Sequence, residues 1–380
     1  MRYCSKCILP DTRPNLTIGT DGVCNACKSH ETKVEIDWKG RQRAFEAVVA
    51  HAKSRSTGYD CLIPVSGGKD STWQVVKCLE LGLNPLAVTW KTPGRTAIGR
   101  CNLDNLVSLG VDHIDYQISP KVEQKFTLDA LIRFGSTAIP MHLAIFAIPA
   151  KIAARFRIPL IVWGENSAFE YGGSDKELTG FKLDGAWLKR HGVTHGTTAK
   201  DWISARLTER ELTPYFGPSE AELDAAGVLA VFLGYYFQWD PETTRRVAAE
   251  HGFVANQQGP RTGFYDYADI DDDYISIHHW LKWYKFGFTR LFDNLSLEIR
   301  NGRITREEAI AIVRTRGDET PLGDIEKLCG FLGITTQKFF EIAETFRNSK
   351  IWVRDGSAWK IADFLIPDWN WTRSGLRLSA

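Results

Sequence analysis

The sequence lacks the features that mark several classes of protein. Lys plus Arg number 47 and Asp plus Glu 46, so the net charge of +1 gives no broad basic surface for nucleic acid. No apolar run approaches the ~20 residues that span a bilayer, and the N-terminus lacks the apolar core of a secretory signal. We therefore expect a cytoplasmic protein with reduced thiols, no membrane span and no nucleic-acid partner.

Two catalytic signatures are also missing. The Walker spacing G-x-x-x-x-G-K-[ST] does not occur, which excludes that type of phosphate loop. No glutaminase segment is recognisable, because the cysteines outside the N-terminal region lie in apolar or helical settings without a paired histidine motif: Cys61, Cys78, Cys101 and Cys329. A reaction that consumes ammonia would need another source of it.

The N-terminal region contains two Cys-x-x-Cys pairs separated by sixteen residues, formed by Cys4, Cys7, Cys24 and Cys27. This spacing is typical of a tetrahedral four-sulfur zinc ribbon, which stabilises a segment too short to form its own core. A redox pair and a closed iron–sulfur site are the alternatives. His30 is either a substitute ligand or an ordinary surface histidine.

The stretch from Val65 to Ser71 follows an apolar run and precedes an amphipathic one, so it is predicted to turn from a buried strand into a helix. Two glycines let backbone N–H groups approach an anion, and the helix directs its positive end to the same place. The side chains add one cation, two hydroxyls and a magnesium-type ligand. The predicted phosphate cradle therefore comprises Val65, Ser66, Gly67, Gly68, Lys69, Asp70 and Ser71, and the alternative is an ordinary glycine-rich turn.

Further predicted strands end at Trp90, Tyr116 and Trp163 and alternate with helical segments. This alternation predicts an α/β fold with a doubly wound parallel sheet, in which ligands bind beyond the carboxyl ends of the strands. The rule groups Ser66 to Ser71, Thr89 to Thr92 and Gly164 to Asn166 around one crevice. Pro64 is unfavourable inside a central strand, so we place it at the strand's last turn.

Individual residues of this crevice can be given roles. Val65 and Thr89 are candidate adenine neighbours, although Thr89 could instead serve strand packing. Gly164 allows close backbone approach. Glu165 and Asn166 could contact Mg²⁺, ribose or the acceptor, or simply form a polar turn at the strand end.

The chain is long enough for several units, and we predict three: a zinc ribbon over 1–35, a nucleotide-binding domain over 36–175 and an aromatic-rich, mainly helical region over 176–380.

Several further residues are candidates for the site. His142 lies in an apolar helix and is either a core histidine or a catalytic candidate. The five carboxylates within 266–273 form a solvated loop or a second metal site. At helical spacing His278, Lys282 and Lys285 share one face, which would either grip an anionic sugar nucleotide or form a solvated basic surface. Beyond them the chain is predicted to be helical to its end, with a capping box at Thr305 and Glu308.

The stretch Ser66-Gly67-Gly68-Lys69-Asp70-Ser71 resembles the signature of the PP-loop ATP pyrophosphatases, which have the adenine nucleotide alpha hydrolase-like fold. Together with the N-terminal cysteines, Lys282-Trp283-x-Lys285-Phe286-Gly287 and Ile299-Arg300-x-Gly302-Arg303-Ile304-Thr305-Arg306-Glu307-Glu308, it is similar to the N-acetyl sugar amidotransferases. Nothing between 176 and 258 matches a motif of that family.

This resemblance implies an ATP-dependent, AMP-forming enzyme of bacterial surface-polysaccharide (LPS O-antigen) synthesis. It would adenylate the acetamido oxygen of a nucleotide-activated sugar and replace it with ammonia, giving an acetamidino sugar. Lys69 and Asp70 would be catalytic, with ATP, Mg²⁺ at Asp70 and Zn²⁺ as cofactors. The implied partners are a glutaminase subunit and a barrel subunit resembling those of imidazole glycerol phosphate synthase.

Two other functions fit part of the pattern. A tRNA-modifying PP-loop enzyme, either a thiolase or a lysidine-forming ligase, also adenylates a carbonyl oxygen, but the near-neutral charge argues against it. A zinc-ribbon adaptor that binds nucleotide without catalysis is opposed by the intact phosphate cradle.

Overall fold

The computed structural model describes residues 1–171, 180–191, 193–356 and 358–371. The predicted boundary between the second and third domains, at residues 175 and 176, lies outside these ranges.

A five-stranded parallel sheet forms the centre of the molecule, with strand order β3-β2-β1-β4-β5. The four strands predicted from the sequence are confirmed within a few residues. The fifth was not predicted, and it pairs along its whole length with β4, from Leu160 opposite Leu229 to Trp163 opposite Phe232. The strands are β1 Cys61–Pro64, β2 Pro85–Trp90, β3 Asp112–Tyr116, β4 Leu160–Trp163 and β5 Leu229–Phe232.

The strand order reverses between β1 and β4, and crevices that bind ligands open at such a switch point. Pro64 is the last residue of β1, as predicted. The next N–H, that of Val65, still donates to the carbonyl oxygen of Val88 at 2.9 Å. The chain therefore leaves the sheet only at Ser66, where the phosphate loop begins.

Helices cover both faces of the sheet. The helices up to residue 250 are α1 Asn25–Glu31, α2 Trp38–Arg55, α3 Lys69–Glu80, α4 Ala97–Val107, α5 Pro120–Phe134, α6 Ile139–Phe156, α7 Ser167–Tyr171, α8 Gly185–His191, α9 Glu220–Ala226, α10 Leu233–Tyr236 and α11 Pro241–Glu250. Short 3₁₀ turns occupy Thr32–Glu35, Ala199–Trp202 and Thr213–Tyr215.

The alternation of side chains along β1 explains the two layers. Ile63 packs on one face with Phe45 of α2 and Val75 of α3. Leu62 points to the other face, where Phe126 of α5 and other residues of α5 and α6 cover it. The helical block predicted over 123–156 is two helices, because Gly135 ends α5 in a left-handed conformation with φ +54°.

Among the described residues, α6 is the one helix whose length and composition would admit a membrane span. Lys151 and Arg155 interrupt its apolar sequence near the end. Its residues Ala144, Ile148 and Ala153 are buried in the core cluster that includes the sheet, which is the packing of a core helix.

The C-terminal region is helical up to residue 345, with α12 Ile275–Phe286, α13 Arg290–Arg300, α14 Arg306–Arg316, α15 Leu322–Leu332 and α16 Thr336–Thr345. The capping box at Thr305 and Glu308 is confirmed at the start of α14. The prediction of helix to the chain's end is wrong, because β6 Trp352–Asp355 and β7 Ala358–Ile361 form an antiparallel hairpin. Trp352 and Ile361 of the hairpin are buried in the cluster that contains the N-terminal cysteines, and such packing against a distant segment is not encoded in local periodicity.

Candidate active site

The phosphate loop bends sharply at Gly67, whose φ is +87°. A Cβ atom on this glycine would lie 2.6 Å from the backbone nitrogen of Leu103 and 2.8 Å from its Cα atom. The loop thus packs directly on the backbone of α4. Both the positive φ and the close approach require glycine at this position.

Replacing Gly67 with Ala is expected to destabilise the protein by about 2 kcal/mol or more, since the new methyl group meets backbone atoms that have no rotamer to change. Gly259→Ala is the matched control, because Gly259 has φ +90° but nothing within 4 Å of its Cβ position. Urea unfolding of both variants separates the clash from the cost of positive φ. Equal losses of stability in the two variants would show that the approach to Leu103 is harmless.

Helix α3 begins at Lys69, directly after the loop, and its N-cap residue Gly68 supplies no side-chain cap. The N–H groups of the first turn are therefore available to an anion, with the helix dipole aligned toward it. Two hydroxyls brace the loop itself: Ser66 N–H donates to Ser71 Oγ at 3.0 Å, and Gly68 N–H donates to Ser66 Oγ at 3.3 Å. The arrangement is that of a preformed anion cradle.

The charged pair of the loop is held in place from a distant part of the chain. Lys69 Nζ lies 2.6 Å from Asp70 Oδ2, and the lysine is only 5% exposed. The indole N–H of Trp239 donates to Asp70 Oδ1 at 2.9 Å. Trp239 was not identified from the sequence, where nothing distinguishes it from the surrounding aromatic residues.

A cavity of about 450 Å³ opens beside this loop at the carboxyl ends of β1, β2 and β4. Its size is in the range of small-molecule sites. From the sequence-predicted set it brings together Val65, Ser66, Gly68, Lys69, Asp70, Ser71, Thr89 and Glu165. The rest of its wall includes Asp269, Asp271 and Asp272 of the acidic stretch that was considered as a second metal site. It also includes residues that were not predicted as site residues, among them Tyr171, Trp239, Tyr265, Tyr267, Arg290 and Asn294.

Three of the residues named as candidates at the crevice do not line this cavity. Gly67 supports the loop from behind, and Gly164 faces Gln74, whose Oε1 would lie 3.3 Å from a Cβ atom on the glycine. Asn166 is 3% exposed; its Oδ1 accepts from Ala168 N–H at 3.0 Å and its Nδ2 donates to the carbonyl oxygen of Gly180 at 3.1 Å. The polar-turn interpretation therefore describes Asn166. Thr89 lines the cavity and also donates to the carbonyl oxygen of Val65 at 2.8 Å, a contact between neighbouring strands.

Glu165 differs from its neighbour Asn166, because its carboxyl group lies at the cavity wall. Burial, and next the negative charge of Asp70, raise the pKa of Glu165 to about 7. Asp70 and Glu165 form a pair of carboxyl groups at the phosphate loop. Such a pair suits Mg²⁺, which takes one or two carboxylates together with phosphate oxygens and water.

Glu165→Gln is expected to remove a pH-dependent part of the stability. The folded pKa of about 7 is above the ordinary value of 4.5, so the favourable contribution is complete below pH 4.5 and is lost as pH rises through 7. Relative to wild type, the free energy of unfolding of the Gln variant should therefore increase by on the order of 2 kcal/mol between pH 5 and pH 8. Thermal unfolding at these two pH values measures the difference, and parallel pH profiles for both proteins would contradict the assignment.

The four N-terminal cysteines are buried, and their sulfur atoms all lie within 4.8 Å of one another. A zinc–sulfur bond of about 2.3 Å places neighbouring sulfurs of a tetrahedron about 3.8 Å apart. The Sγ atoms of Cys4 and Cys27 are 3.9 Å apart, and those of Cys7 and Cys24 are 3.7 Å apart. The cluster therefore fits zinc. His30 is not part of it, and within the described ranges no other group of three or more His, Cys, Asp or Glu residues is close enough to hold a metal.

The C-terminal part of the chain is similar to a known protein family. Residues 261–365 match the family described as LPS biosynthesis protein WbpG-like, C-terminal domain. This region is similar to WbpG-like domains. The matched residues contain the Lys282–Gly287 and Ile299–Glu308 motifs, so the match supports the family resemblance that these motifs indicated.

The other comparisons add little. No curated protein sequence matches the chain. A solved structure similar to it is that of NMN synthetase from Francisella tularensis, with 11% identity, coverage of 70% of this chain and 94% of that chain, and a TM-score of 0.31. At that identity and score the likeness supports no conclusion about this chain.

The WbpG-like region, residues 261–365, supplies much of the cavity wall opposite the phosphate loop. Arg290 begins α13, after Gly287 has ended α12 in a left-handed conformation. Its guanidinium lines the cavity and is held by Asp269, with Nε and Oδ2 3.0 Å apart. A sequence signal for Arg290 existed, since it follows the Lys282–Gly287 motif by three residues.

The acidic stretch of the WbpG-like region is not a solvated loop, so that interpretation was wrong. Asp272 is 9% exposed and accepts from Thr92 Oγ1 at 2.9 Å, while Asp273 pairs with Arg261 at 2.6 Å. Of the five carboxylates, Asp266 is exposed. The other four carboxylates are at least partly buried because they bind residues from distant segments of the chain. Composition alone cannot indicate such partners.

The three basic residues of α12 are largely buried, so the interpretation as a solvated basic surface was also wrong. Lys282 pairs with Asp293 at 3.2 Å, and Lys285 Nζ donates to the carbonyl oxygen of Gly135 at 2.8 Å. Neither lysine lines the cavity. Lys285 satisfies carbonyl groups at the end of α5, and burial lowers its pKa to about 8.

Two histidines were candidates for the site, His278 and His142. His278 is buried and lines a smaller pocket beside the cavity. His142 uses its Nδ1 to bond the carbonyl oxygen of Ala138 at 2.7 Å, and burial lowers its pKa to about 4. This contact supports the interpretation of His142 as a core histidine.

Proposed function

We propose that the chain is an ATP-dependent, AMP-forming amidotransferase acting in the cytoplasm on a nucleotide-activated N-acetyl sugar. It would adenylate the acetamido oxygen and replace it with ammonia, giving an acetamidino sugar for LPS O-antigen synthesis. The observation that carries the proposal is the cavity itself. One wall is a preformed anion cradle, and the other belongs to a region similar to a domain of LPS biosynthesis proteins.

The residues of the cavity suit the proposed chemistry. An amide oxygen is a poor leaving group, and adenylation converts it into part of AMP. The first turn of α3 and the Lys69 ammonium would stabilise the negative charge that develops on pyrophosphate. Mg²⁺ held by Asp70 and Glu165 would neutralise further charge between the phosphates. Tyr171, Tyr265 and Tyr267 offer ring faces for a base or a sugar, and Arg290 offers a cation to a phosphate of the sugar nucleotide.

The reaction needs ammonia, and the chain contains no recognisable glutaminase segment. We therefore propose that a glutaminase subunit and a barrel subunit, resembling those of imidazole glycerol phosphate synthase, supply it in the cell. Free ammonium would replace them in a purified reaction.

Mass spectrometry of the reaction products tests the proposal. The purified chain is incubated with ATP, Mg²⁺, ammonium and a panel of nucleotide di-acetamido sugars, and a parallel tube contains tRNA. A sugar product lighter by about one mass unit, because oxygen is exchanged for NH, together with AMP, is the expected result. AMP formed only in the presence of tRNA would replace the proposal with the tRNA-modifying alternative.

A further inference from the structure

A second, smaller pocket adjoins the nucleotide cavity. Its volume is about 30 Å³, enough for one or two water-sized molecules. Five residues line both spaces, so the two are neighbours: Trp90, Thr92, Met141, Asp272 and Ile275. A molecule in the small pocket would lie at the edge of the site proposed for adenylation.

Two buried carboxyl groups give this pocket its polarity. Glu123 is 3% exposed, and its Oε1 accepts from the indole N–H of Trp90 at 2.8 Å. Asp272 supplies the second carboxyl group. None of the ion pairs formed by described residues includes either group, and the charge of Asp272 adds to the effect of burial in raising the pKa of Glu123 to about 8. Two uncompensated carboxyl groups favour a small cation or a strong hydrogen-bond donor.

One nitrogen of a third polar side chain in the pocket has no hydrogen-bond partner among the described residues. His278 is 8% exposed, and among the described residues nothing hydrogen-bonds to its Nδ1 atom. Burial, and next the charges of His279 and Lys282, lower the pKa of His278, so the ring is neutral. A neutral imidazole can accept one hydrogen bond. An unpaired nitrogen on a buried ring that lines the same pocket as two carboxyl groups indicates a missing ligand.

We propose that this pocket binds the nitrogen donor of the reaction, one ammonium ion or ammonia molecule, and positions it for attack in the adjoining cavity. The inference rests on the proposed function and assigns it a second substrate site. Ammonium is water-sized, carries the required positive charge and offers N–H donors to Glu123, Asp272 and His278. A nucleotide or a sugar is far too large for the same space.

The group transfer balances with these residues. Ammonium gives one proton to the Asp272 carboxylate, which lies at the boundary of the two spaces. The nitrogen lone pair then forms a bond to the adenylated carbon, and the carbon–oxygen bond breaks with its electron pair going to AMP. Adenylation has already released the amide N–H proton to solvent, so the sugar nitrogen of the resulting imidate carries no hydrogen. The product then leaves as an amidinium that retains the three ammonia hydrogens, one of them shifted to that nitrogen. The proton on Asp272 returns to solvent.

Steady-state kinetics with ammonium chloride as nitrogen donor, at constant ionic strength, test the pocket. Glu123→Gln keeps an acceptor for Trp90 but cannot become the carboxylate that would pair with a bound cation, so the KM for ammonium should rise about tenfold while the KM for ATP stays within about twofold. Glu80→Gln, on the exposed side of α3, is the control and should change neither value. Thr127→Val, a near-isosteric change in the pocket wall, should also raise the ammonium KM and serves if Glu123→Gln does not fold.

The size of the pocket gives a second test. Methylamine should be a poor donor for wild type, whereas Met141→Ala should enlarge the pocket and accept it. Wild-type turnover with an unchanged ammonium KM in both Glu123→Gln and Thr127→Val would overturn the pocket and leave the amidotransferase proposal standing. Equal use of methylamine by wild type and Met141→Ala would do the same. Absence of AMP with every sugar tested would instead overturn the proposed function.

Discussion

Lys69→Ala is expected to reduce AMP formation by about a thousandfold, because a preorganised charge next to the developing pyrophosphate is removed from a water-poor site. No other residue of the loop can supply the positive charge of this lysine. It is 5% exposed and lies at the first position of α3, and its ammonium is held 2.6 Å from Asp70. Alanine leaves the helix intact but removes the only side-chain cation of the loop.

The matched control for this variant is Lys77→Ala. Lys77 lies on the same helix, two turns further on, and pairs with Glu80 at 2.6 Å on the surface. It should retain normal turnover. Both variants should keep the zinc content of wild type, since the cysteine cluster does not contact α3. A Lys69→Ala protein with near-normal turnover, or one that has lost its zinc, would refute the role assigned to the lysine.

The phosphate loop could be located from the sequence because its determinants are local. Two glycines, a lysine and two serines stand between a strand and a helix, and the bend at Gly67 and the hydroxyl bonds of Ser66 and Ser71 form within the loop itself. The same is true of the capping box at Thr305. The rule that ligands bind at the carboxyl ends of parallel strands then placed Thr89 and Glu165 beside the loop.

The opposite wall of the cavity could not be derived in this way, because its residues depend on long-range partners. Trp239 meets Asp70 across 169 residues of sequence, and Asp272 meets Thr92 across 180. An acidic stretch without known partners is predicted to be solvated, and so is a basic helix face. The strand β5 was not predicted for a related reason. Its four residues lie in an aromatic-rich region and form a strand because they pair with the free edge of β4.

The N-terminal ribbon packs against distant parts of the chain. Its contribution to the stability of the protein therefore extends beyond its own residues. The four cysteines belong to one buried cluster with Trp283 of α12, Phe292 of α13 and Trp352 of the hairpin. Thr12 donates to the carbonyl oxygen of Phe286 at 2.6 Å, and Arg13 pairs with Asp293 at 2.8 Å. The ribbon is therefore part of the core of the WbpG-like region.

Removal of one zinc ligand is expected to unfold this shared core. Structural zinc contributes on the order of 10 kcal/mol, which is comparable to the whole stability of a typical domain. Cys27→Ser should lose the metal, expose the buried tryptophans and become sensitive to protease across 261–365. Cys101→Ser is the control, because Cys101 is exposed and lies outside the cluster.

Elemental analysis, tryptophan fluorescence and limited proteolysis of the two variants decide the matter. We expect one zinc per chain in wild type and in Cys101→Ser. Cys27→Ser should contain no zinc, and its tryptophan emission should be red-shifted. A chelator should produce the same shift in wild type, since metal affinity and folding are coupled.

Other outcomes would contradict this assignment. Visible absorbance and bound iron would establish the iron–sulfur alternative. A wild-type protein that contains no metal, and whose fluorescence responds only to reductant, would establish a redox pair. Retention of zinc and of the native emission by Cys27→Ser would show that the ribbon does not hold this core together.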